Sequence, residues 1–212
     1  MVLCWVKNLS EETTKLNQYH FNIFHRFLAL LFSAYKVFSY FSSKSHIINQ
    51  TYFYGTILMK IKNKSALIIA ILIPIAVGTF SALFSGRTSL YSTINKPPLS
   101  PPGFIFPIVW IILYILMGIS SYIIYESDSP KKVEALNTYA LQLFFNFWWS
   151  IIFFRFSLFL FAFLWLLALI FLISVMIYQF YRINRLSSYL QIPYLLWCLF
   201  AAYLNFMIYR LN

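Results

Sequence analysis

Amide and aromatic side chains recur at four-residue intervals in three apolar stretches of the sequence. The three sets are Trp110, Tyr114 and Gly118; Gln142, Asn146 and Ser150; and Trp197, Ala201 and Asn205. In a helix this spacing places side chains on one face. Amides in contact with lipid are costly, so these faces are predicted to point into a helical bundle. Such faces can form an aromatic-walled pocket that binds a ligand by stacking and hydrogen bonds.

The spacing alone leaves a second interpretation open. The amides can simply join helices, and the aromatic rings can lie at the interfaces of a bilayer, without any ligand. Enzymatic chemistry has little support, because the sequence contains no nucleophile–base pair, glycine-rich phosphate loop or metal-ligand cluster. We therefore predict no catalytic residues, no metal site and no required cofactor.

The elements that carry these faces are apolar runs typical of membrane spans. The chain has 212 residues, of which 61% are hydrophobic and 10% charged, a composition unlike that of soluble domains. Runs of about 20 residues, enough to cross roughly 30 Å of hydrocarbon, occupy Ser65–Phe84, Phe104–Tyr125, Val133–Phe154, Leu158–Tyr181 and Ser188–Tyr209. A backbone in lipid must satisfy its own hydrogen bonds, so these runs are predicted to be helices. The expected fold is an all-α, five-transmembrane-helix bundle, multi-pass and integral to the cell membrane.

The net charge of +11 is distributed between the spans rather than in a nucleic-acid-binding patch. One side of the predicted bundle has Lys60, Lys62, Lys64, Lys131, Lys132, Arg182 and Arg185, and the other has Arg87, Lys96, Arg155 and Arg210. The positive-inside rule then places the amino end of the bundle and the second and fourth connectors in the cytoplasm.

The first connector, Gly86–Gly103, is the long one. It contains Pro97, Pro98, Pro101 and Pro102. Proline fixes φ and removes a backbone donor, so this connector is predicted to be a stiff lid over the bundle.

Residues 1–58 are predicted to form a separate N-terminal extension, and residues 59–212 the transmembrane domain. The extension holds all three histidines and one semi-apolar run, Phe21–Phe41, interrupted by Arg26 and Lys36. Three interpretations stay open: an interfacial amphipathic helix, a disordered segment, or a natural start of translation at Met59.

Four blocks of this sequence resemble the TspO/MBR family, which includes the tryptophan-rich sensory proteins and the mitochondrial translocator protein. The blocks are Tyr91 with Lys96–Pro97 and Pro101–Pro102; Val109–Trp110 with Leu113–Tyr114 and Met117–Gly118; Gln142–Leu143 with Asn146, Trp149–Ser150 and Phe153–Phe154; and Pro193–Tyr194–Leu195 with Trp197, Phe200–Ala201 and Leu204–Asn205. The resemblance implies a five-helix bundle, commonly dimeric, with a pocket that opens towards the first connector. Family ligands include porphyrins, haem, sterols and benzodiazepine-type drugs.

By this resemblance, Tyr91 and Pro102 belong to the lid, while Trp110, Asn146 and Trp197 line the pocket. The full set of predicted ligand-binding residues is Tyr91, Pro102, Trp110, Tyr114, Gln142, Asn146, Trp197 and Ala201. The resemblance implies a receptor or sensor for porphyrin, haem or another flat apolar molecule, and the alternative is a transporter of porphyrins or sterol-like lipids. The expected partners are this small molecule, the bilayer and a second copy of the chain, with no nucleic acid.

Two departures from the family pattern narrow the expectations. Family members commonly carry tryptophan where this chain has Leu90 and Leu99. Those loop tryptophans are linked to light-dependent porphyrin breakdown, so a porphyrin-degrading enzyme is less expected here. In the sterol-recognition pattern, Phe206 takes the usual tyrosine position and Tyr209 directly precedes Arg210, so we predict no sterol specificity.

Overall fold

In a computed structural model of the protein, the structure describes residues 62–86, 93–97 and 99–212. Within these ranges the chain is helical and has no β-strand. The helices are α1 (Lys64–Ser85), α2 (Ile105–Tyr125), α3 (Lys132–Ser150), α4 (Phe159–Ile183), α5 (Arg185–Leu190) and α6 (Ile192–Leu211), and a π-helical turn (Ile151–Arg155) continues α3. All of them belong to one compact unit, which consists of Lys62–Pro97 and Pro102–Asn212.

The all-helical prediction is confirmed for the described residues. Four stretches are long and apolar enough to cross a membrane: α1, α2, α4, and Arg185–Leu211, which joins α5 and α6. Helix α3 has 19 residues with several polar side chains, and it is not among the four. A fifth span on α3 therefore stays a prediction, as does the proline lid. The N-terminal extension and Tyr91 lie outside the described residues.

The ends of the helices follow from local chemistry. Asn63 precedes α1, and its side chain accepts a hydrogen bond from the Ala66 N–H at 3.1 Å. Gly86 follows α1 in a left-handed conformation with φ 62°, which glycine adopts without strain. Asn184 caps α5 in the same way as Asn63, by accepting from the Ser187 N–H at 3.1 Å. Pro193 lies in the first turn of α6, where its missing N–H costs nothing.

Helix α1 packs closely along α2 because of one glycine on α2. A Cβ at Gly118 would lie 2.5 Å from the Ile71 Cα and 2.7 Å from the Ala70 carbonyl oxygen, both on α1. Small residues allow helix backbones to approach in membrane proteins, where packing rather than the hydrophobic effect drives association. Helix α1 also packs on α3, α3 on α4, and α4 on α6, while the short α5 packs on α2 and α4.

Serine hydroxyls join the helices at two further places. Between α1 and α3, Ser81 donates to the Phe147 carbonyl at 2.6 Å, and the Ser85 and Ser150 hydroxyls are 2.7 Å apart. Between α2 and α5, Ser120 and Ser187 each donate to the other's carbonyl, at 2.7 and 2.8 Å. These bonds satisfy buried hydroxyls and fix the helices relative to one another.

The described part of the first connector is attached to the end of α6. The backbone N–H of Asn95 donates to the Asn212 side chain, and the Asn212 amide donates back to the Asn95 carbonyl, both at 3.0 Å. Ile94 packs against an apolar cluster that contains Ile152, Phe153 and Ile208. Ile94 and Asn95 of the connector are thus held by the π-helical turn and the last helix.

The outer faces of the helices expose large apolar side chains. On α1 alone these are Ile68, Ile69, Leu72, Ile73, Phe80, Leu83 and Phe84, each about half exposed or more. A soluble monomer rarely exposes an apolar surface of this extent. The outward apolar faces and the four candidate spans make this an integral, multi-pass membrane protein.

Candidate functional site

Asn146 on α3 is the centre of a hydrogen-bonded cluster inside the bundle. The Tyr114 hydroxyl donates to the Asn146 side-chain oxygen at 3.1 Å, and the Asn146 amide nitrogen donates to the Tyr194 hydroxyl at 3.1 Å. The Tyr194 hydroxyl in turn donates to Gln142 Oε1 at 2.9 Å. All four residues are buried. We call Tyr114, Gln142, Asn146 and Tyr194 the amide–tyrosine cluster; it joins α2, α3 and α6.

The position of Tyr114 depends on a glycine of α1. The Tyr114 ring lies so close to Gly78 that a Cβ added at this glycine would overlap the ring. Gly78 therefore leaves the space in which the tyrosine reaches Asn146. Gly78 and Ala82 are small residues four apart on α1, a spacing that often marks close packing between membrane helices, and here Gly78 packs within the chain, on Tyr114.

Trp110 extends the cluster along α2. Its indole stacks on the Tyr114 ring, with centroids 5.3 Å apart and an interplanar angle of 27°. It also meets the Tyr194 ring edge to face, at 6.1 Å. Both geometries are favourable for aromatic pairs. Trp110 itself is only half-buried, so part of its indole lies outside these contacts.

Trp197 lies one helical turn beyond Tyr194 on α6 and is 3% exposed. Its indole contacts Phe106 at 5.9 Å and Phe200 at 5.6 Å, measured between ring centroids. Phe106 is one turn before Trp110 on α2, so α2 and α6 face each other with aromatic rings over two turns. Ala201 is buried one turn beyond Trp197.

The structure thus brings together four of the predicted site residues directly and two more in the adjoining turn. The first group is Trp110, Tyr114, Gln142 and Asn146, and the second is Trp197 and Ala201. Pro102 is exposed before α2, where its carbonyl accepts from the Ile105 N–H at 3.0 Å. Tyr91 lies outside the described residues. The role of these residues in ligand binding stays a prediction.

Two residues of the site were missed by the analysis of helix faces. Tyr194 holds Asn146 and Gln142 through its hydroxyl, and Phe106 packs on Trp197. A signal for both was present, because Tyr194 precedes Trp197 by three residues and Phe106 precedes Trp110 by four. Spacing of this kind places them on the same helix faces.

Chemically, the site offers aromatic rings and amide groups, and no charged side chain is part of it. Gln142 Nε2 is a buried donor without a hydrogen-bond partner among the described residues. Over the same ranges, no three His, Cys, Asp or Glu side chains are grouped as metal ligands. Cys198 is a buried free thiol beside this region on α6. Such a site favours recognition by stacking and hydrogen bonds.

Two cavities in the described part of the molecule lie at opposite ends of the bundle. One is lined by residues from the start of α3 and the end of α4, and the other by Ser85, Gly86, Arg155 and Phe156. Neither is lined by Trp110, Asn146 or Trp197. The predicted hollow shared by these three side chains therefore stays a prediction, with the Tyr114 and Tyr194 rings between Trp110 and Asn146 in this conformation.

Comparison with known proteins gives a consistent result. A sequence profile of the TspO/MBR family matches residues 70–210, from within α1 to the last turn of α6. The chain is 35% identical to a tryptophan-rich protein TspO of Archaeoglobus fulgidus over 148 residues, which are 69% of this chain and 96% of the relative. It is 34% identical to a TspO of Chlorobaculum tepidum, with coverages of 71% and 99%.

A vertebrate relative matches over a shorter range. The human translocator protein is 31% identical over 125 residues, which are 58% of this chain and 74% of the human one. The region matched by the family profile, residues 70–210, includes every residue of the amide–tyrosine cluster as well as Trp110 and Trp197. The chain belongs to the TspO/MBR family of membrane sensor and translocator proteins.

Proposed function

We propose that this protein is a non-enzymatic membrane receptor for porphyrin, haem or another flat apolar molecule. The observation that carries the proposal is the half-buried indole of Trp110, stacked on Tyr114 above the amide–tyrosine cluster. A planar ligand would stack on this indole and on Trp197, with Pro102 and Tyr91 in the lid and Ala201 leaving room beside Trp197. Gln142 Nε2 supplies a hydrogen-bond donor towards the carboxylates or carbonyls of such a ligand.

The site suits the ring of a porphyrin better than the iron of a haem. All three histidines of the chain lie within residues 1–58, and residues 59–212 contain none. Haem iron is most often held by histidine, so stacking rather than ligation to iron would supply the affinity. Each stacked indole contributes about 0.5–1.5 kcal/mol beyond the burial of area, which is compatible with roughly micromolar binding.

The proposal is tested by titrating protoporphyrin into the purified protein and following the quenching of tryptophan fluorescence. The double variant Trp110→Ala/Trp197→Ala should weaken binding by about tenfold or more, because both stacking faces are removed. Trp148→Ala is the matched control: Trp148 lies on α3, is 37% exposed and contacts only Phe144 and Phe147 among the described rings. Equal affinity of the double variant and the wild type would refute this site.

The second candidate function is transport of porphyrins or lipids across the membrane. It is favoured by the name of the human relative, which is a translocator protein. The same site would serve both functions, so a measurement of ligand flux across the membrane is needed to distinguish a transporter from a receptor. Entry of porphyrin into sealed proteoliposomes at a rate that depends on Trp110 favours the transporter, and saturable binding without flux favours the receptor.

We also propose that α3 crosses the membrane as a fifth span. With the π-helical turn it extends from Lys132 to Arg155, and its buried amides are bonded inside the bundle rather than exposed to lipid. Internal pairing removes the cost that polar groups otherwise incur in hydrocarbon. Cysteine labelling at Lys132 and Arg155 from the two sides of a sealed membrane tests this, since labelling of both from one side contradicts it.

A homodimer is the remaining part of the proposal. Gly78 packs on Tyr114 within the chain, so the contact between two copies would use another face of the bundle. Chemical cross-linking in native membranes measures the association, and a chain that stays monomeric at all cross-linker concentrations contradicts it.

A further inference from the structure

A small cavity opens between the beginning of α3 and the end of α4. Its volume is about 150 Å³, and it is lined by Lys131, Glu134, Tyr178, Gln179, Arg182 and Ile183. None of these residues belongs to the amide–tyrosine cluster. We call this cavity the α3–α4 cavity.

The α3–α4 cavity lies at the level expected for lipid headgroups. Helix α4 has 25 residues, and at about 1.5 Å per residue it is longer than the roughly 30 Å of a hydrocarbon core. Arg182 is in the last turn of α4, and Lys131 immediately precedes α3. Both residues are on the cation-rich side of the bundle, together with Lys62 and Lys64 at the start of α1.

The Arg182 guanidinium of this cavity is held in place without a carboxylate partner among the described residues. Arg182 Nη1 donates to the Tyr178 hydroxyl at 3.2 Å, and the guanidinium lies 5.9 Å from the centroid of the Tyr178 ring. Glu134 is engaged by Gln179, whose Nε2 donates to Glu134 Oε1 at 3.2 Å. Among the described residues, neither Arg182 nor Lys131 forms an ion pair with a carboxylate.

Among the described residues, the lining therefore has two cationic groups and one carboxylate, an excess of one positive charge. Arg182 is oriented by Tyr178, so less side-chain freedom is lost when its guanidinium binds an anion. A planar guanidinium next to an ammonium group is suited to a phosphate, which accepts hydrogen bonds from both.

We propose that the α3–α4 cavity binds the phosphate headgroup of an anionic phospholipid. A soluble phosphate would offer the same anion, but the surroundings favour a lipid. Tyr178 is 60% exposed beside the cavity, and Ile183 is part of the lining, so glycerol and acyl groups would contact an aromatic ring and an aliphatic side chain. Basic pockets between helices on the cytoplasmic side are typical sites for such headgroups. This proposal does not depend on the ligand proposed for the amide–tyrosine cluster.

Native mass spectrometry of the purified protein with added phosphatidylglycerol tests the proposal, with phosphatidylcholine as the zwitterionic comparison. Arg182→Gln should weaken binding of phosphatidylglycerol about fivefold, and Lys131→Gln/Arg182→Gln by roughly a further fivefold. Arg185→Gln is the matched control. It removes the same charge three residues away, from a guanidinium that lies over the Tyr181 ring and does not line the cavity.

For Glu134→Gln we expect stronger lipid binding, a change that misfolding of the variant would not produce. The substitution removes the only carboxylate that the described residues contribute to the cavity lining, so it should strengthen binding of phosphatidylglycerol about two- to fivefold. Equal losses in Arg182→Gln and Arg185→Gln would overturn the proposal in favour of a diffuse surface charge, and so would equal binding of the two lipids. Inorganic phosphate that binds as tightly as phosphatidylglycerol would overturn the assignment to a lipid.

Discussion

Asn146 and Gln191 are two buried amides of one bundle in opposite situations. Asn146 is 3% exposed, and its two amide atoms are bonded to Tyr114 and Tyr194. Gln191 is 0% exposed, yet neither of its amide atoms has a hydrogen-bond partner in the described ranges. The backbone of Gln191, between α5 and α6, is nevertheless hydrogen-bonded. Its N–H donates to the Ser188 carbonyl, and its carbonyl accepts from the Leu195 N–H, both at 3.1 Å.

The region around Asn146 is held together by side-chain hydrogen bonds, whereas the region around Gln191 is held together by backbone hydrogen bonds. Around Asn146 each bond depends on another side chain, so one substitution leaves a buried hydroxyl with a lost partner. At Gln191 no described side chain depends on the amide, so a substitution there breaks no side-chain hydrogen bond among the described residues. Substitutions should therefore have large effects in the first region and small effects in the second.

The largest effect is expected from Gly78→Val. The added side chain would overlap the Tyr114 ring, so Tyr114 must move and lose its bond to Asn146. Overpacking of this kind should cost about 3 kcal/mol of unfolding free energy. Thermal denaturation in detergent measures the loss. Ala82→Val, at an exposed position one turn further on α1, is the control, and an equal loss there would show that α1 rather than Tyr114 is affected.

Asn146→Leu should have the next largest effect. It removes both bonds of the amide and leaves the hydroxyls of Tyr114 and Tyr194 each without one partner, at a cost of about 1–3 kcal/mol. The melting temperature should fall accordingly. An unchanged melting temperature would mean that the tyrosines find other partners and that Asn146 is not the centre of the cluster.

Tyr114→Phe removes one hydroxyl and keeps the ring. Hydrogen bonds between membrane helices are worth about 0.6 kcal/mol on average, so a loss of this size is expected. A double-mutant cycle with Asn146→Leu should then give a coupling energy of similar size, because the two residues share one bond. Strict additivity of the two single variants would contradict the bond.

Gln191→Leu should have the smallest effect, with an unfolding free energy within about 0.5 kcal/mol of the wild type. The substitution leaves no described side chain without a hydrogen-bond partner that it had before. The volume changes little and the backbone bonds of Gln191 are kept. A loss as large as that of Asn146→Leu would show that the amide is bonded in solution, through water inside the bundle, and the contrast between the two regions would then disappear.

The sequence predicted the ends of the first two helices closely, but it did not predict the break between α5 and α6. The predicted runs Ser65–Phe84 and Phe104–Tyr125 differ from α1 and α2 by one residue at the ends. The last run was predicted from Ser188, whereas the structure begins α5 at Arg185 and restarts as α6 at Ile192. Apolar periodicity does not record this break, although Pro193 in the first turn of α6 is a local signal for it.

The sequence predicted which residues share a helix face, and their role in ligand binding stays a prediction. Four-residue spacing placed Trp110 with Tyr114, and Gln142 with Asn146, on common faces, and the structure joins these faces through hydrogen bonds. Spacing within one helix cannot show which residue of another helix fills the space between two faces. For this reason the hydrogen bonds of Tyr194 with Asn146 and Gln142, and the close approach of Tyr114 to Gly78, were not predicted.

The π-helical turn at the end of α3 has a consequence for the comparison of related chains. In it the Phe156 N–H bonds to the Ile151 carbonyl, five residues back, so the turn holds about one residue more than an α-helical turn. Ile151, Ile152 and Phe153 are buried in succession within this turn. A homologue that lacks one residue here would keep its upstream amides in place, while the side chains after the missing residue, as far as Arg155, would shift by about a hundred degrees around the helix axis. An alignment gap at this point would therefore mark a change in which side chains of the turn face the bundle.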